Sequence, residues 1–112
     1  MARSSFPNTN LAASTKTANI LAGDINEFTT ARSLVNVYAV SSAAGIRATI
    51  LAGQDVVMDD KEIVAIGTTV SIPDHLLTSF AVEPGTRLAI FLRETAAAAT
   101  TDVPLIVDVN PY

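Results

Sequence analysis

The sequence has no cysteine and no tryptophan, and it contains a single histidine. Without cysteine there can be no disulfide framework, no thiolate nucleophile and no Cys-based zinc site. Charged residues make up only 16% of the 112 residues, whereas an average soluble domain has about 25%. Aromatic residues make up 5%, so the stacking platforms that bind bases or sugars are poorly supplied.

The distribution of charge argues against two kinds of partner. The formal net charge is −4 and the seven Lys and Arg residues are scattered, whereas binding to a phosphate backbone needs clustered basic residues. Hydrophobic residues make up 49% of the chain, but no run approaches the ~18 apolar residues that cross a bilayer. We therefore expect no nucleic-acid partner and no membrane partner. A chain of 112 residues also has the size of one compact domain.

The residues that are present follow the pattern of an all-β domain. Short runs rich in Val, Ile, Leu and Thr recur about every ten residues, separated by Gly, Pro, Ser, Asn and Asp, as in sandwiches and barrels. We predict a single antiparallel β-sandwich over residues 17–112. Its strands are predicted near residues 17–22, 34–40, 46–52, 55–58, 63–71, 78–82, 86–93 and 103–109.

The first sixteen residues show neither strand nor helix periodicity. They are polar and rich in turn-forming residues, with Phe6 and Leu11 as isolated apolar side chains. A disordered terminus and an arm that becomes ordered on a neighbouring subunit are both compatible with this pattern. We predict an extended N-terminal arm over residues 1–16.

Two hairpins are predicted from the pairing of side chains. The first joins Val40 to Ile46 through the five residues "SSAAG". The second is entered through "EPGT", residues 83–86, which fits a type II turn because Gly85 is its third residue.

Charge sets the register of the second hairpin. If the last two predicted strands pair antiparallel, one register places Arg87 opposite Asp108 and Arg93 opposite Asp102. A slip by one residue would place Arg87 among leucines, so the pattern fixes which face each residue occupies. The core face then consists of Leu88, Ile90, Leu92, Val103, Leu105 and Val107.

The opposite face of that hairpin is unusually apolar for a surface in water. A sheet with one solvated face alternates apolar and polar residues cleanly, and this one does not. The cover is another part of the same chain, an identical subunit or a foreign partner. Because the whole chain is poor in charge, we predict an interface of Phe6, Leu11, Ala89, Phe91 and Ile106.

Catalytic and metal-binding motifs are nearly absent. Any Ser–His–Asp arrangement must use His75, and no Gly-x-Ser-x-Gly motif occurs. The acidic group "QDVVMDDKE" offers oxygen ligands without the spacing or the glycine of an EF-hand, which favours a solvated loop. We therefore predict that the chain is not an enzyme and that it has no catalytic, cofactor-binding or metal site.

The overall composition carries a resemblance. The sequence is a small, acidic, cysteine-free, Ala/Thr/Val-rich β domain with an N-terminal arm, the unit "VEPGTRLAIFLRET" and the apolar tail "PLIVDVNPY". In these respects it resembles small bacteriophage virion proteins, in particular capsid decoration or cement proteins. The resemblance implies a jelly-roll-like sandwich that forms a homo-oligomer, with a trimer favoured. It also implies binding to the major capsid protein at the virion surface.

Two other functions stay open at this point. A trimeric receptor-binding or ligand-binding head would use the loops 53–62 and 94–101. A small shell-forming coat protein would need the same apolar contacts as a decoration protein, so the sequence does not separate the two.

Overall fold

The alternating runs of the sequence form nine β-strands in a computed structural model of the chain. The structure describes residues 2–6, 10–12, 14–24, 26–63, 66–67, 70, 75–95 and 100–111. The strands are β1 (Ala2–Phe6), β2 (Asn10–Ala12), β3 (Ser33–Ala39), β4 (Ile46–Ala52), β5 (Asp55–Glu62), β6 (Leu76–Val82), β7 (Leu88–Glu94), β8 (Thr100–Asp102) and β9 (Leu105–Pro111). The predicted all-β fold is confirmed. Within the described ranges there is no helix that could span a membrane.

Two larger sheets form the body of the sandwich. One has four strands in the order β1-β9-β3-β6, and the other has three strands in the order β5-β4-β7. A third, two-stranded sheet consists of β2 and β8. Neighbouring strands are antiparallel in all three sheets.

The hydrophobic core lies between the inner faces of the two larger sheets. Successive residues of a strand point to opposite faces, so every second residue enters the core. Burying a Val, Leu or Ile side chain fully contributes roughly 1.5–3 kcal/mol relative to exposure. The predicted core residues are confirmed, each at most 2% exposed: Leu88, Ile90, Leu92, Val103, Leu105 and Val107.

The antiparallel pairs are nested along the chain. β1 pairs with β9, β3 with β6 and β4 with β5, while residues 15–20 line the outer edge of β7. There the Thr17 N–H donates to the Leu92 carbonyl at 2.8 Å, and the Ile20 N–H donates to the Ile90 carbonyl at 2.9 Å. The earliest segment of the chain therefore pairs with the latest, and the two middle strands pair with each other.

The predicted hairpin between Val40 and Ile46 is wrong. β3 pairs with β6 and β9, whereas β4 pairs with β5 and β7, so the two strands lie in different sheets. The six residues between β3 and β4 cross the gap between the sheets, which is about 10 Å. The alternation of apolar and polar residues identifies the core face of a strand. It does not identify the strand's neighbours, because two strands have the same core faces whether they pair in one sheet or pack against each other across the core.

The predicted hairpin of the last two long strands is wrong for the same reason. β7 pairs with β4, and β9 pairs with β1 and β3. The inward residues of β7 and β9 meet across the core instead of lying side by side in one sheet. The turn before β7 agrees with the prediction at one position, since Gly85 has a φ of +79°, which the third residue of a type II turn requires.

The predicted arm over residues 1–16 is not separate from the sandwich. β1 forms one edge of the four-stranded sheet, and β2 pairs with β8. Lys16 forms an isolated antiparallel bridge with Arg93 of β7. The boundary between residues 1–16 and 17–112 is therefore not a domain boundary, because both sides contribute strands to the same body.

Three predicted strands differ in the structure. Residues 17–22 follow β7 through hydrogen bonds without forming a regular strand. The strand at 55–58 extends to Glu62 as β5, so the acidic group lies in an edge strand and not in a loop. Within the predicted strand 63–71, Ile66 forms an isolated parallel bridge with Ser41, and residues 64–65, 68–69 and 71 lie outside the described residues.

Candidate functional site

The described residues contain no evident chemical site. Among them, no three or more His, Cys, Asp or Glu side chains lie together where they could hold a metal ion. His75 immediately precedes β6, and its carbonyl accepts a hydrogen bond from the Ala39 N–H at 3.1 Å. This contact is structural, because it holds the start of β6 against β3.

A small cavity opens at the end of the sandwich where β3 begins and β9 ends. Its volume is about 140 Å³, below the roughly 300–1,000 Å³ of pockets that enclose a drug-sized ligand. The hydroxyl of Thr29, one of its lining residues, donates to the Glu83 carbonyl at 2.8 Å. The Asn26 side-chain amide donates to the Ser4 hydroxyl at 2.8 Å. These polar groups already serve the fold, so the cavity is a poor ligand site.

Two of the five predicted interface residues are buried, so their assignment is wrong. Leu11 is 1% exposed and lies opposite Thr101 in the β2–β8 pair, where it joins the core. Ala89 is 6% exposed and lies opposite Leu51 of β4. Asn19 closes the other side of β7 there, since its side-chain oxygen accepts the Ile90 N–H at 3.0 Å.

The other three predicted interface residues do not share a surface. Phe6 is half-buried and packs against the core. Phe91 lies opposite Thr49 on the outer face of the three-stranded sheet. Ile106 lies opposite Tyr38 on the outer face of the four-stranded sheet, so the sandwich separates it from Phe91. The predicted common face is wrong because β7 and β9 are not neighbours.

A lysine lies over the Phe91 ring. The Lys16 ammonium lies 5.6 Å from the centroid of the ring, within the range of a cation–π interaction. The aliphatic stem of a lysine can cover apolar surface while its charge stays in water. The same chain therefore contributes to covering Phe91, which is half-buried.

The predicted cross-strand ion pairs are also wrong. Arg87 binds Glu27 at 2.9 Å and Arg93 binds Asp60 at 2.5 Å. Asp102 instead bonds through its backbone, donating its N–H to the Ser42 hydroxyl at 2.9 Å. Sequence analysis placed these charges on the right faces, but it assigned their partners from strand pairings that do not exist.

Asp60 joins two arginines on the outer face of the three-stranded sheet. Arg47 and Arg93 are directly opposite each other in β4 and β7, and Asp60 binds them at 3.3 and 2.5 Å. The hydrogen bond from Arg93 is the main cause that lowers the pKa of Asp60.

Glu27, the partner of Arg87, also has a lowered pKa. The hydrogen bond from the Gly23 N–H is the main cause, and the hydrogen bond from Arg87 adds to it.

Arg3 and Asp108 form a more enclosed ion pair on the opposite side of the sandwich. The guanidinium donates two hydrogen bonds to the carboxylate, at 2.6 and 2.9 Å. The Asp108 side chain is 5% exposed, while that of Arg3 is 45% exposed, so the arginine covers the carboxylate. The bonds to Asp108 raise the pKa of Arg3.

The uncovered apolar surface lies elsewhere. Leu76 and Tyr38 are cross-strand partners, and Ile106 lies on the other side of Tyr38; we call these three residues the outer apolar row. Leu76 is 45% exposed and Ile106 is half-buried, whereas Tyr38 is only 6% exposed. Leu34 lies further along the same face, opposite Ala81. Large apolar side chains that are at least 40% exposed in the described residues are Phe28, Leu34, Val56, Ile66 and Leu76.

Sequence analysis missed Leu34 and Leu76 as surface residues. Pairing Val40 with Ile46, as the wrong hairpin does, carries Leu34 opposite Ala52, apolar against apolar, whereas Leu34 lies opposite Ala81 and Asn110. A usable signal was nevertheless present, because the predicted strand 78–82 and the two leucines before it, "LLTSFAV", contain no charged residue. Solvated strands normally carry polar or charged residues on one face.

Comparisons of the chain with known protein families, curated proteins and solved structures found no match.

Proposed function

We propose that the chain is a non-enzymatic structural protein of a virus particle, which associates with copies of itself and binds a shell subunit at the particle surface. The observation that carries this proposal is the nested antiparallel pairing of a two-sheet sandwich. Nested pairing is the pattern of a jelly roll, a topology used by viral capsid domains. It supports the jelly-roll-like fold that the resemblance to decoration proteins implied.

The surface supports a role in assembly. A chain with only 16% charged residues exposes Leu76 and Leu34 on one face of the four-stranded sheet, where Ile106 is half-buried. Burying apolar surface contributes about 25 cal/mol per Å², and part of this offsets the entropy lost on association. On a particle surface many symmetric contacts act together, so modest individual contacts are sufficient for firm attachment.

Jelly rolls also occur in lectins, and two features make a ligand-binding role the weaker candidate here. The sequence has no tryptophan, and the cavity between Asn26 and Pro111 has a volume of only about 140 Å³. The alternatives of a receptor-binding head and a shell-forming coat protein differ from the main proposal in copy number and in position on the particle.

The proposal is tested in particles made by the virus, or by the host, whose genome encodes the chain. Particles are purified on a density gradient, and the chain is quantified by mass spectrometry against the most abundant shell protein. A copy number comparable with that of a separate shell protein is expected. Only a few copies per particle would favour a receptor-binding head, the chain as the most abundant protein would favour a coat protein, and its absence would contradict all three.

A further inference from the structure

The sandwich has four long sheet edges, and they are not protected equally. An unpaired edge strand offers free backbone N–H and C=O groups to other chains, so natural proteins cover it, shorten it, bend it or give it charges. β5 forms one edge of the three-stranded sheet, and five of its eight residues are charged. Its pairing with β4 is also irregular near Ile50. The β5 edge is therefore well protected.

The chain covers the second edge of the three-stranded sheet itself. Besides the bonds from Thr17 and Ile20, the Glu94 N–H of β7 donates to the Thr15 carbonyl at 2.9 Å, and the Leu88 N–H donates to the Glu27 carbonyl at 2.7 Å. These bonds lie along the whole length of β7, so little of its outer backbone edge is available to another molecule.

β1 forms one edge of the four-stranded sheet and is protected by its side chains. The strand has five residues, and Arg3 places a charge within it. Ser4 is 5% exposed, and its hydroxyl donates to Asp24 at 2.5 Å and accepts from Asn26 at 2.8 Å. The segment that contains Asp24 and Asn26 therefore lies beside β1 on the inner face of the sheet, since Ser4 is opposite the core residue Val107.

β6 forms the fourth edge and lacks these protections. Its seven residues, "LLTSFAV", include no charge, no proline and no glycine. In the described part of the chain it pairs only with β3, and the one irregularity of that pairing lies near Leu77. Residues 78–82 keep a regular register, and the inward-facing Thr78 and Phe80 are only half-buried. A strand covered on both sides would bury such residues more completely.

We propose that β6 pairs antiparallel with β6 of a second copy of this chain, so that two four-stranded sheets join into one of eight strands. A two-fold contact brings the same surface patch of both copies together, and an antiparallel strand pair has this symmetry. The regular segment 78–82 is centred on Phe80, so Phe80 lies opposite Phe80 of the second copy and Ser79 lies opposite Ala81. Outward residues then meet outward residues, as the pleat requires.

Charge favours a second copy as the occupant of this edge. Each copy has a net charge of −4, so two copies repel unless they meet through an uncharged surface. β6 is uncharged over its full length. A foreign partner of opposite charge would instead be expected to bind near the acidic residues of β5.

This inference rests on the proposed function, since it names the contact through which copies associate. It also specifies a two-fold pair, where the resemblance to decoration proteins implied a trimer. The exposed Leu76 lies at the end of β6, so pairing brings the outer apolar rows of both copies onto one continuous sheet.

The test compares two serine-to-lysine variants by light scattering after size exclusion. Protein concentrations run from about 1 to 100 µM, because modest contacts have micromolar dissociation constants. Ser79 and Ser5 are both exposed residues on the outer face of the same sheet, but they lie on opposite edges. The full-length chain is expected to reach twice its mass of 11.7 kDa. Ser79→Lys is expected to raise the dissociation constant at least tenfold by placing like charges near the two-fold axis, and Ser5→Lys is expected to leave it unchanged.

A monomer at all concentrations, or a dimer equally stable in both variants, would overturn the inference. A second measurement does not depend on the folding of any variant. Hydrogen exchange of the unmodified chain is expected to slow within residues 76–82 as concentration rises, and exchange that does not change with concentration contradicts the pairing. A dimer that is missing from particles would contradict the proposed function alone, whereas a monomer that is present in particles would contradict only the β6 contact.

Discussion

The outer faces of the two larger sheets differ in how exposed their ion-paired carboxylates are. On the four-stranded sheet, Arg3 encloses a single carboxylate, and the Asp108 side chain is 5% exposed. On the three-stranded sheet, Asp60 lies between two arginines, and its side chain is 39% exposed. The outer face of the four-stranded sheet therefore has an ion pair with a buried carboxylate, and that of the three-stranded sheet has a solvent-exposed network of charges.

Cationic side chains help to explain how a small chain can carry apolar residues on both faces of its sheets. Long cationic side chains lay their stems over apolar surface and keep their charges in water. Lys16 does this for Phe91, and no second core is needed there. On the four-stranded sheet, by contrast, Leu34 and Leu76 remain 40% and 45% exposed.

The largest effect is expected from removing residues 1–15, which deletes β1, β2 and Arg3 from the four-stranded side. Deleting Leu11 alone from the core would cost about 2–5 kcal/mol, a large part of the 5–15 kcal/mol that stabilises a typical domain. We expect the shortened chain to lose its cooperative thermal transition, followed by circular dichroism.

The matched control for that truncation is the full-length chain with Arg3→Gln, which removes one charge and keeps both strands. It should still unfold cooperatively. A truncated chain that melts like the full-length one would show that residues 1–15 are dispensable, and the difference between the two faces would then not depend on β1.

A smaller effect is expected from breaking each ion pair in turn. Asp108→Asn removes one partner of an enclosed pair, so we expect the melting temperature to fall by roughly 4–8 °C. Asp60→Asn removes an exposed partner, and we expect a fall of less than about 2 °C. Differential scanning calorimetry measures both.

Ionic strength should affect the Asp60→Asn and Asp108→Asn variants differently. Raising the ionic strength from 0.15 to about 1 M shortens the Debye length to about 3 Å, so the effect of Asp60→Asn should shrink while that of Asp108→Asn persists. Equal effects in both variants, with equal sensitivity to salt, would remove the distinction between the buried and the exposed carboxylate.

The smallest effect is expected from acidification. The pKa of Asp60 in the folded chain lies below its ordinary value of 3.8, chiefly because Arg93 donates a hydrogen bond to it. A lowered pKa stabilises the folded state fully above the ordinary value, and this contribution disappears as the pH falls through the lowered value. The difference in melting temperature between the unmodified chain and Asp60→Asn should therefore be constant from about pH 7 to 5 and vanish towards about pH 2.

The control for acidification is Asp59→Asn, which removes a neighbouring carboxylate in β5 that has no ion pair in the described part of the chain. A loss of the same size in this variant would show that the effect does not come from the ion pairs of Asp60. A difference for Asp60→Asn that grows on acidification would reverse the sign argued here.

Local patterns in the sequence were sufficient to predict the fold class and the core. The alternation of Leu88, Ile90 and Leu92 has the period of a strand, and its inward face is the same for every possible neighbour. The partners of each strand were not predictable in this way, because pairing depends on contacts between distant parts of the chain. The wrong ion pairs of Arg87 and Arg93 follow directly from that limit.

Leu11 shows the same limit at a single position. An isolated leucine in a polar stretch has the pattern of a surface anchor. It becomes a core residue only because β2 meets β8, which places Leu11 opposite Thr101. The unprotected character of β6 was visible as an uncharged run, but its position at an edge required the strand order.

The nested pairing also has a consequence for the order in which the chain folds. The β4–β5 hairpin joins segments that are close in sequence, whereas Arg3 and Asp108 are 105 residues apart. Contacts so distant in sequence cost more loop entropy and slow folding. During synthesis the central hairpin can form early, but β1 has no partner until β9 leaves the ribosome. β1 is thus made before the other strands described here, but it is among the last of them to be paired.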